Sequence, residues 1–443
     1  MNMTVRHTGG MRIAVIGSGI SGASAAWALS SDNHVTLYEA APKAGGHTAT
    51  VTVDYDGTDV AVDTGFIVYN EHNYPNLTAL FAHLQVKTQA SDMGFAMSFD
   101  DGKLEWSGTS YATLFAQKRN LVSPSFLWML REVLRFNKHC LPDRDAGVLQ
   151  GKSIGDYLAF RKFSRTFRDD YLIPMAAAIW STPRVKMLDF PADAFVSFFE
   201  NHRLIHSERP NWRTVTGGSQ NYLDKLISSI SGGVRLDSAV RTIYRSNNQA
   251  YITDASGATE AYDAVILACH SGQALRILTD ASADERSILS AIQYRPNRVI
   301  LHRDASLMPK RKAAWSAWNY LRASNSDAEP EVAVTYWMNK LQGIDDAKPL
   351  FITLNPPREP RAGTVFGEWS YEHPQFDAAA LDAQQKLSSI QGHNHTYFAG
   401  AWTGYGFHED GLRSGLEAAV ALGASVPFEV ASSRIKRFAE AAT

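Results

Sequence analysis

Residues 12–31, RIAVIGSGISGASAAWALSS, pass from an apolar run through a glycine cluster into small residues with helical spacing. The order reads as strand, turn and helix. Gly17, Gly19 and Gly22 form G-x-G-x-x-G at the junction. The first glycine permits the tight turn, the second lets backbone approach a pyrophosphate, and the third lets helix and strand pack closely. The helix N-terminus then faces the anion, with Ser18, Ile20 and Ser21 in the same cradle. A second strand, HVTLYEA, ends at Glu39, where an acid accepts ribose hydroxyls, and Ala40 follows at the same edge. An acid there suits the adenosine ribose of NAD or FAD and disfavours NADP; the motif does not choose between the first two.

The chain has 443 residues, 45% hydrophobic and 20% charged, enough for two or three domains with substantial cores. A formal charge of −2 gives no global reason to expect nucleic acid as a partner. Cys140 and Cys269 form neither a CxxC pair nor a disulfide framework, which fits a reducing cytoplasm. Residues 1–10 lack the apolar core of a signal peptide and read as a frayed leader, with Met11 as an alternative start. The run LIPMAAAIW (172–180) falls far short of the roughly 20 residues a membrane span needs. The expectation is a cytoplasmic protein, at most peripheral at the inner membrane surface.

Further along, TVTVDYDGTDVAVDTG alternates with period two around a DG turn and reads as a β-hairpin. From about 75 to 200 the pattern turns helical and aromatic; strands and helices alternate again from 214, and the chain closes with a helix (377–390), the strand TYFAGAW and a helix opening near Gly411. The expected fold class is α/β: a discontinuous Rossmann-type dinucleotide domain from 11–70, 214–275 and 392–425, with an α+β substrate domain. The latter combines a largely helical insertion, 71–213, with a mixed strand and helix part, 276–391.

Just beyond Glu39 lies KAGGH (43–47), and VDTGFIVYN (62–70), SAVRTIY (238–244) and YFAGAWTGYGFHEDGLRSGLEAA (397–419) follow. This series resembles the flavoproteins of the amine oxidase, phytoene desaturase and protoporphyrinogen oxidase superfamily, and the resemblance implies FAD. Lys43, Gly45 and Gly46 match the family's loop beside the pyrophosphate and ribityl chain, with His47 in place of the usual arginine. Thr64, Gly65 and Phe66 match the segment whose backbone lies against the flavin ring, and Val240 the position that meets adenine. Gly400 and Ala401 match the closing motif, although Ala401 replaces its usual acid. By the same resemblance, a helix starting near Gly411 and Leu412 aims its free N–H groups at the flavin. Neither cysteine lies in a flavin-facing motif, so the FAD is expected to be non-covalent. HNH at 393–395 lacks a third ligand, and no metal is expected.

Within the superfamily, GGHTATV, VDTGFIVYNEHNYPNL, AAAIWST and EHPQFD resemble a bacterial subgroup associated with desaturation of methyl-branched fatty acyl chains on the way to furan fatty acids. That resemblance implies hydride transfer from an allylic C–H of a methyl-branched unsaturated chain, borne on phospholipid, to flavin N5, with a proton leaving separately to give a conjugated diene. The alternatives are a flavin amine oxidase, a redox-neutral double-bond isomerase and a flavin-loaded binding protein. The electron acceptor is unknown. Candidate proton-handling groups are Tyr405, His408 and Glu409, with Tyr69, Asn70 and His72 near the first flavin segment. An apolar tunnel is expected from among Phe81, Phe95, Phe115, Phe126, Trp128, Trp180, Phe195, Phe198 and Phe199. Residues 117–138 place Phe126, Leu127, Leu130, Val133 and Leu134 on one helical face bordered by Lys118, Arg119, Arg131, Arg135 and Lys138. Such a face suits peripheral contact with lipid, or equally a helix packed on a core. A second basic cluster, PKRK (309–312), either flanks a lipid-facing mouth or is solvated.

Overall fold

The computed structural model describes residues 10–206, 208–322 and 332–432; all but Gly10 of the expected leader lies outside them. Five parallel strands run in the order Val234–Arg235, His34–Tyr38, Arg12–Ile16, Ala264–Leu267, Thr396–Phe398. The central ones, HVTLY, RIAVI and AVIL, are covered on both faces, which is why they read as apolar runs rather than alternating ones. One face carries the helices Ile20–Leu29, Gln220–Ile227 and His408–Ala421. The other carries the antiparallel strands Val240–Ser246, Gln249–Asp254 and Thr259–Tyr262 and the helices Ser271–Ile277 and Ala283–Ser290.

The last helix meets the first through one glycine, and the first helix meets the glycine turn before it through another. A Cβ on Gly415 would lie 2.1 Å from the Ser21 carbonyl oxygen, and one on Gly22 would lie 1.8 Å from that of Gly17. The buried Asp63 carboxylate then ties three segments together: it accepts from the Ser219 amide and hydroxyl, from Thr50 Oγ1 and from Gln342 Nε2.

A second sheet has seven strands in the order Val365–Gln375, Gln293–His302, Phe351–Leu354, Ala333–Trp337, Trp318–Arg322, Phe95–Phe99, Leu104–Ser107. Its last two strands come from the stretch expected to be helical and aromatic. They form a hairpin because Asp100, Asp101 and Gly102 all take positive φ, a tight-turn signal inside the expected insertion. Apart from the short strand Thr88–Ala90 and the strand Trp212–Val215 it pairs with, the rest of that insertion is largely helical, with Pro124–Asp145, Ile173–Trp180 and Ala192–Asn201 around a core that includes Phe136, Phe167, Phe195 and Phe199.

Along Pro124–Asp145 the buried stripe is Phe126, Met129, Glu132, Phe136, Cys140 and Asp143. This corrects the expected face: Phe126 points inward, while Leu127, Trp128 and Leu134 point outward. The two acids can turn inward because they are paired. Glu132 accepts from the Ser164 amide and hydroxyl, and Asp143 from Tyr157 and Arg161. Arg135 is likewise drawn in, onto the Arg161 carbonyl and over the Phe163 ring. In PKRK, Lys310 pairs with Asp101 and Arg311 with the buried Glu105, so that cluster has a structural use. Among the described residues no helix is long and apolar enough to cross a membrane.

The Gly415 contact has no room to relax, because the opposing atom is backbone. Gly415→Val is expected to cost about 1–3 kcal/mol by overpacking, read as a lowered thermal midpoint with early loss of bound flavin.

Candidate functional site

A cavity of about 1000 Å³ runs between the two sheets. At the glycine-motif end, Gly17, Ser18, Gly19, Ile20 and Ser21 form one wall, with Glu39, Ala40 and Val240 beside them. The helix Ile20–Leu29 begins there without a side-chain cap and without an acid in its first turn, so its amides remain open to an anion. Glu39 takes the Ser18 amide (3.0 Å) and hydroxyl (2.5 Å) on one oxygen and the Ala41 amide (2.8 Å) on the other. Ser18 Oγ in turn accepts the Gly45 amide (2.9 Å), which fixes the second glycine loop against the first.

Three residues expected to contact the cofactor serve that loop from behind the wall. Gly22 packs helix on strand. Gly45, at φ +127°, turns where a Cβ would meet the Thr48 carbonyl. Lys43 is exposed and donates to the Thr50 carbonyl (2.7 Å), which takes its ammonium away from the cavity. Gly46 and His47 do line it.

Farther along, Thr64, Gly65 and Phe66 lie opposite the closing motif. Thr64 Oγ1 meets Tyr371 Oη at 2.8 Å, and the Gly65 Cα lies where a Cβ would strike the His47 carbonyl. Phe66 stacks on His408 with centroids 3.9 Å apart. Burial, with His47 adding to it, lowers the His408 imidazole to about 3, so it is neutral. Its Nε2 meets Tyr222 Oη at 2.5 Å, and that hydroxyl also meets Thr48 Oγ1 at 2.8 Å. His47 is lowered to about 3 by burial and by His373, and its Nε2 is shut off from solvent with no partner. Tyr405 lines the cavity edge-on to Phe198, and burial raises its hydroxyl so that it keeps its proton.

The closing helix opens at His408, not at Gly411. The cause is Asp410, whose carboxylate reaches back to the Tyr405 and Phe407 amides and starts the helix one turn early. Gly411 is consequently inside the helix, packed on Ile20 and Ser21, and Leu412 is fully buried in the core beneath; neither is on the wall. Gly400 and Ala401 are on it. Glu409 is turned away: its carboxylate accepts the Asn76 amide, Asn76 Nδ2 and the Leu77 amide, capping the helix Pro75–His83. Tyr69 and Asn70 are buried off the cavity as well. Cys269, read as lying outside the flavin-facing motifs, does line the glycine-motif end, where burial pushes its thiol up to about 12.

The remaining half of the cavity is floored by the seven-stranded sheet, and every strand contributes. One register row, Ile352–Tyr336–Trp318–Phe95, crosses four strands with all its side chains on the cavity face. Of the expected tunnel aromatics, Phe95, Trp180 and Phe198 line it, while the others fill cores or, for Trp128, face solvent. Sequence reasoning missed Trp106, Tyr171, Trp212, Trp318 and Tyr336. Period-two alternation in the strands was the available signal for all of these but Tyr171, which lies in a helical turn. The only carboxylates on the wall among the described residues are Glu39 and Glu372, and Glu372 pairs with His270 at 3.1 Å. Among the described residues, no group of three or more His, Cys, Asp and Glu is placed to hold a metal ion.

Burial raises the Glu409 carboxyl from 4.5 to about 7, against the opposing Asn76 and Leu77 donors. The folded state therefore holds this proton more tightly than the unfolded chain does, and stability falls as pH rises from about 4.5 to about 7. Wild type is expected to lose up to about 3 kcal/mol across that window from this group. Glu409→Gln should start less stable and lack that component of the slope, as measured by denaturant unfolding at a series of pH values.

The wall suits FAD by its own chemistry: an open helix N-terminus for the pyrophosphate, Glu39 for the ribose, and an unpartnered His47 Nε2 beside the Gly65 backbone. Residues 20–304 match the family described as flavin containing amine oxidoreductase. The fold is similar to that of putrescine oxidase solved with putrescine bound (16% identity, 93% of this chain and 98% of that chain, TM-score 0.64). It is likewise similar to cyclohexylamine oxidase from Brevibacterium oxydans IH-35A (15%, 93% and 98%, 0.66). A third similar structure is the CLA-producing fatty acid isomerase from P. acnes (14%, 93% and 98%, 0.61). No curated relative matches. The family match covers the greater part of the chain, from the first helix into the second sheet, and the protein therefore belongs to the flavin containing amine oxidoreductases as an FAD-dependent oxidoreductase.

Proposed function

We propose that the protein desaturates an unsaturated, methyl-branched fatty acyl chain of the kind that leads to furan fatty acids. The observation that carries this reading is the substrate half of the cavity, floored by aromatic and aliphatic side chains, with Glu372, hydrogen-bonded to His270, as its one carboxylate among the described residues. A cationic amine would find no counter-charge along the row Ile352–Tyr336–Trp318–Phe95, and burying it unpaired is costly. An amine cage from Trp402 and Tyr405 is also disfavoured. The Trp402 indole is pinned to the Cys269 carbonyl, and Tyr405 faces Phe198. Bound FAD supplies a hydride acceptor for the allylic C–H, while a proton leaves separately. The chain's own contribution is to orient the alkene, exclude water and keep His408, Tyr405 and His373 uncharged beside it.

The test is anaerobic titration of the yellow protein with phospholipids bearing methyl-branched monounsaturated chains, and separately with amines. Flavin bleaching by lipid, with a product two hydrogens lighter, is the expected outcome. Bleaching by amines alone overturns it, and lipid isomerised without mass change moves the protein to a redox-neutral isomerase.

Lipid-borne substrate also gives meaning to the surface between 111 and 134. Tyr111 is 86% exposed, Val122 79%, Leu134 71% and Trp128 48%, with Lys118, Arg119 and Arg131 exposed among them. Large apolar side chains mixed with cations suit an anionic bilayer surface. The protein should sediment with phosphatidylglycerol vesicles and much less with phosphatidylcholine ones, and the double variant V122S/W128S should stay in the supernatant with both.

A further inference from the structure

At the end of the cavity under the edge strand Leu104–Ser107, hydrogen-bond donors gather. Trp106 is 3% exposed, and its Nε1 is buried with no partner. An indole N–H left unpaired in a native interior loses the full cost of its desolvation unless something else accepts it. Trp106 stacks on Tyr171, with centroids 5.8 Å apart and planes 21° from parallel. Tyr171 sits in a π-helical turn, Arg168–Leu172, a distortion that recurs at functional sites because it re-aims a side chain. Burial pushes its hydroxyl up to about 12, with the Arg209 charge opposing, so it keeps its proton at neutral pH. Arg209 donates one N–H to the Gly108 carbonyl at 2.6 Å, two residues past Trp106, and ion-pairs with no carboxylate among the described residues. Arg203 and His206 line the same cavity.

We propose that this end is an oxyanion subsite, in which Arg209, Trp106 and Tyr171 hold the carboxylate or phosphate at the head of an alkyl-chain ligand. The chain lies along Phe95, Trp318, Tyr336 and Ile352 toward His408. The tail placement rests on the acyl-chain reading; the anion site rests on the donors alone. Six strand spacings separate this edge from the opposite one at Val365–Gln375, a span of about 29 Å, enough for a long acyl chain. The arrangement selects by charge and by length: an anion finds a guanidinium fork and two neutral donors, and an ammonium finds none of its requirements.

The test uses the FAD-loaded protein and saturated probes that cannot be desaturated: dodecanoate, dodecyl phosphate, dodecylamine, methyl dodecanoate and inorganic phosphate. Binding is read from tryptophan quenching and from the shift of the flavin absorbance. One or both alkyl anions should bind, with the amine, the ester and free phosphate much weaker. Preference for dodecanoate identifies a free acid as the natural head; preference for dodecyl phosphate identifies a phospholipid. Arg209→Met should weaken alkyl-anion binding roughly tenfold to a hundredfold and leave the ester unaffected, with Arg209→Lys in between. Trp106→Phe should weaken it a few-fold and serves if the arginine variant does not fold. Equal binding of amine and anion, or unchanged anion binding in both Arg209→Met and Trp106→Phe, overturns the subsite. Anion binding without flavin reduction by any lipid leaves the subsite standing and removes the desaturase reading; lipid reduction with unchanged binding in the variants does the reverse.

Discussion

The close approach of the first and last helices sets the geometry of everything else. With the Ser21 carbonyl 2.1 Å from where a Gly415 Cβ would sit, the two backbones are nearly in contact, and the loops at their N-terminal ends are drawn to the same place. Ser414 fastens the second loop: its hydroxyl accepts the Gly400 amide and lies within hydrogen-bond reach of the Gly400 and Gly411 carbonyls. Gly17 and Gly22 do the same for the first loop against the Ala268 strand end. The glycines scattered through residues 399–417 and 17–22 thus serve one task, bringing bare backbone from two ends of the chain to a shared cavity wall.

How legible this was in the sequence follows from which forces are local. The G-x-G-x-x-G strand and helix form as read, because turn chemistry and a two-sided apolar strand need only their own residues. Glu39 and Ser18 line the wall for the same reason. The helix start at His408 was hidden, because it depends on Asp410 reaching back to Tyr405 and Phe407, which a row of glycines does not announce. Glu409 was hidden in a different way: its partners, Asn76 and Leu77, lie far away in sequence. The sheet strands at 95–107 carried a visible Asp-Asp-Gly turn, yet the aromatic density around them suggested helix. Aromatics such as Trp106 and Phe126 differ in what they face only through strand register and helix phase, which tertiary packing sets.

Charge in the cavity is confined largely to its ends. Glu39 marks one, and Arg203 and Arg209 the other. Between them the ionisable groups are mostly imidazoles, and burial holds His47, His373 and His408 neutral. His47 is the telling case: it stands where the family resemblance would place a permanent cation, and an arginine could not have been neutralised by burial. A neutral ring at that position keeps the middle of the cavity free of a fixed positive charge, and Glu372 nearby is hydrogen-bonded to His270, whose imidazole burial also lowers. In a low-dielectric channel an uncompensated charge would dominate the field on any reacting carbon. Its removal leaves the polarity of the bound cofactor and the pairing at the two ends as the terms that orient a substrate. A chain with one anionic head and an uncharged reacting segment meets that field without conflict, whereas a cation is repelled at the arginine-lined end.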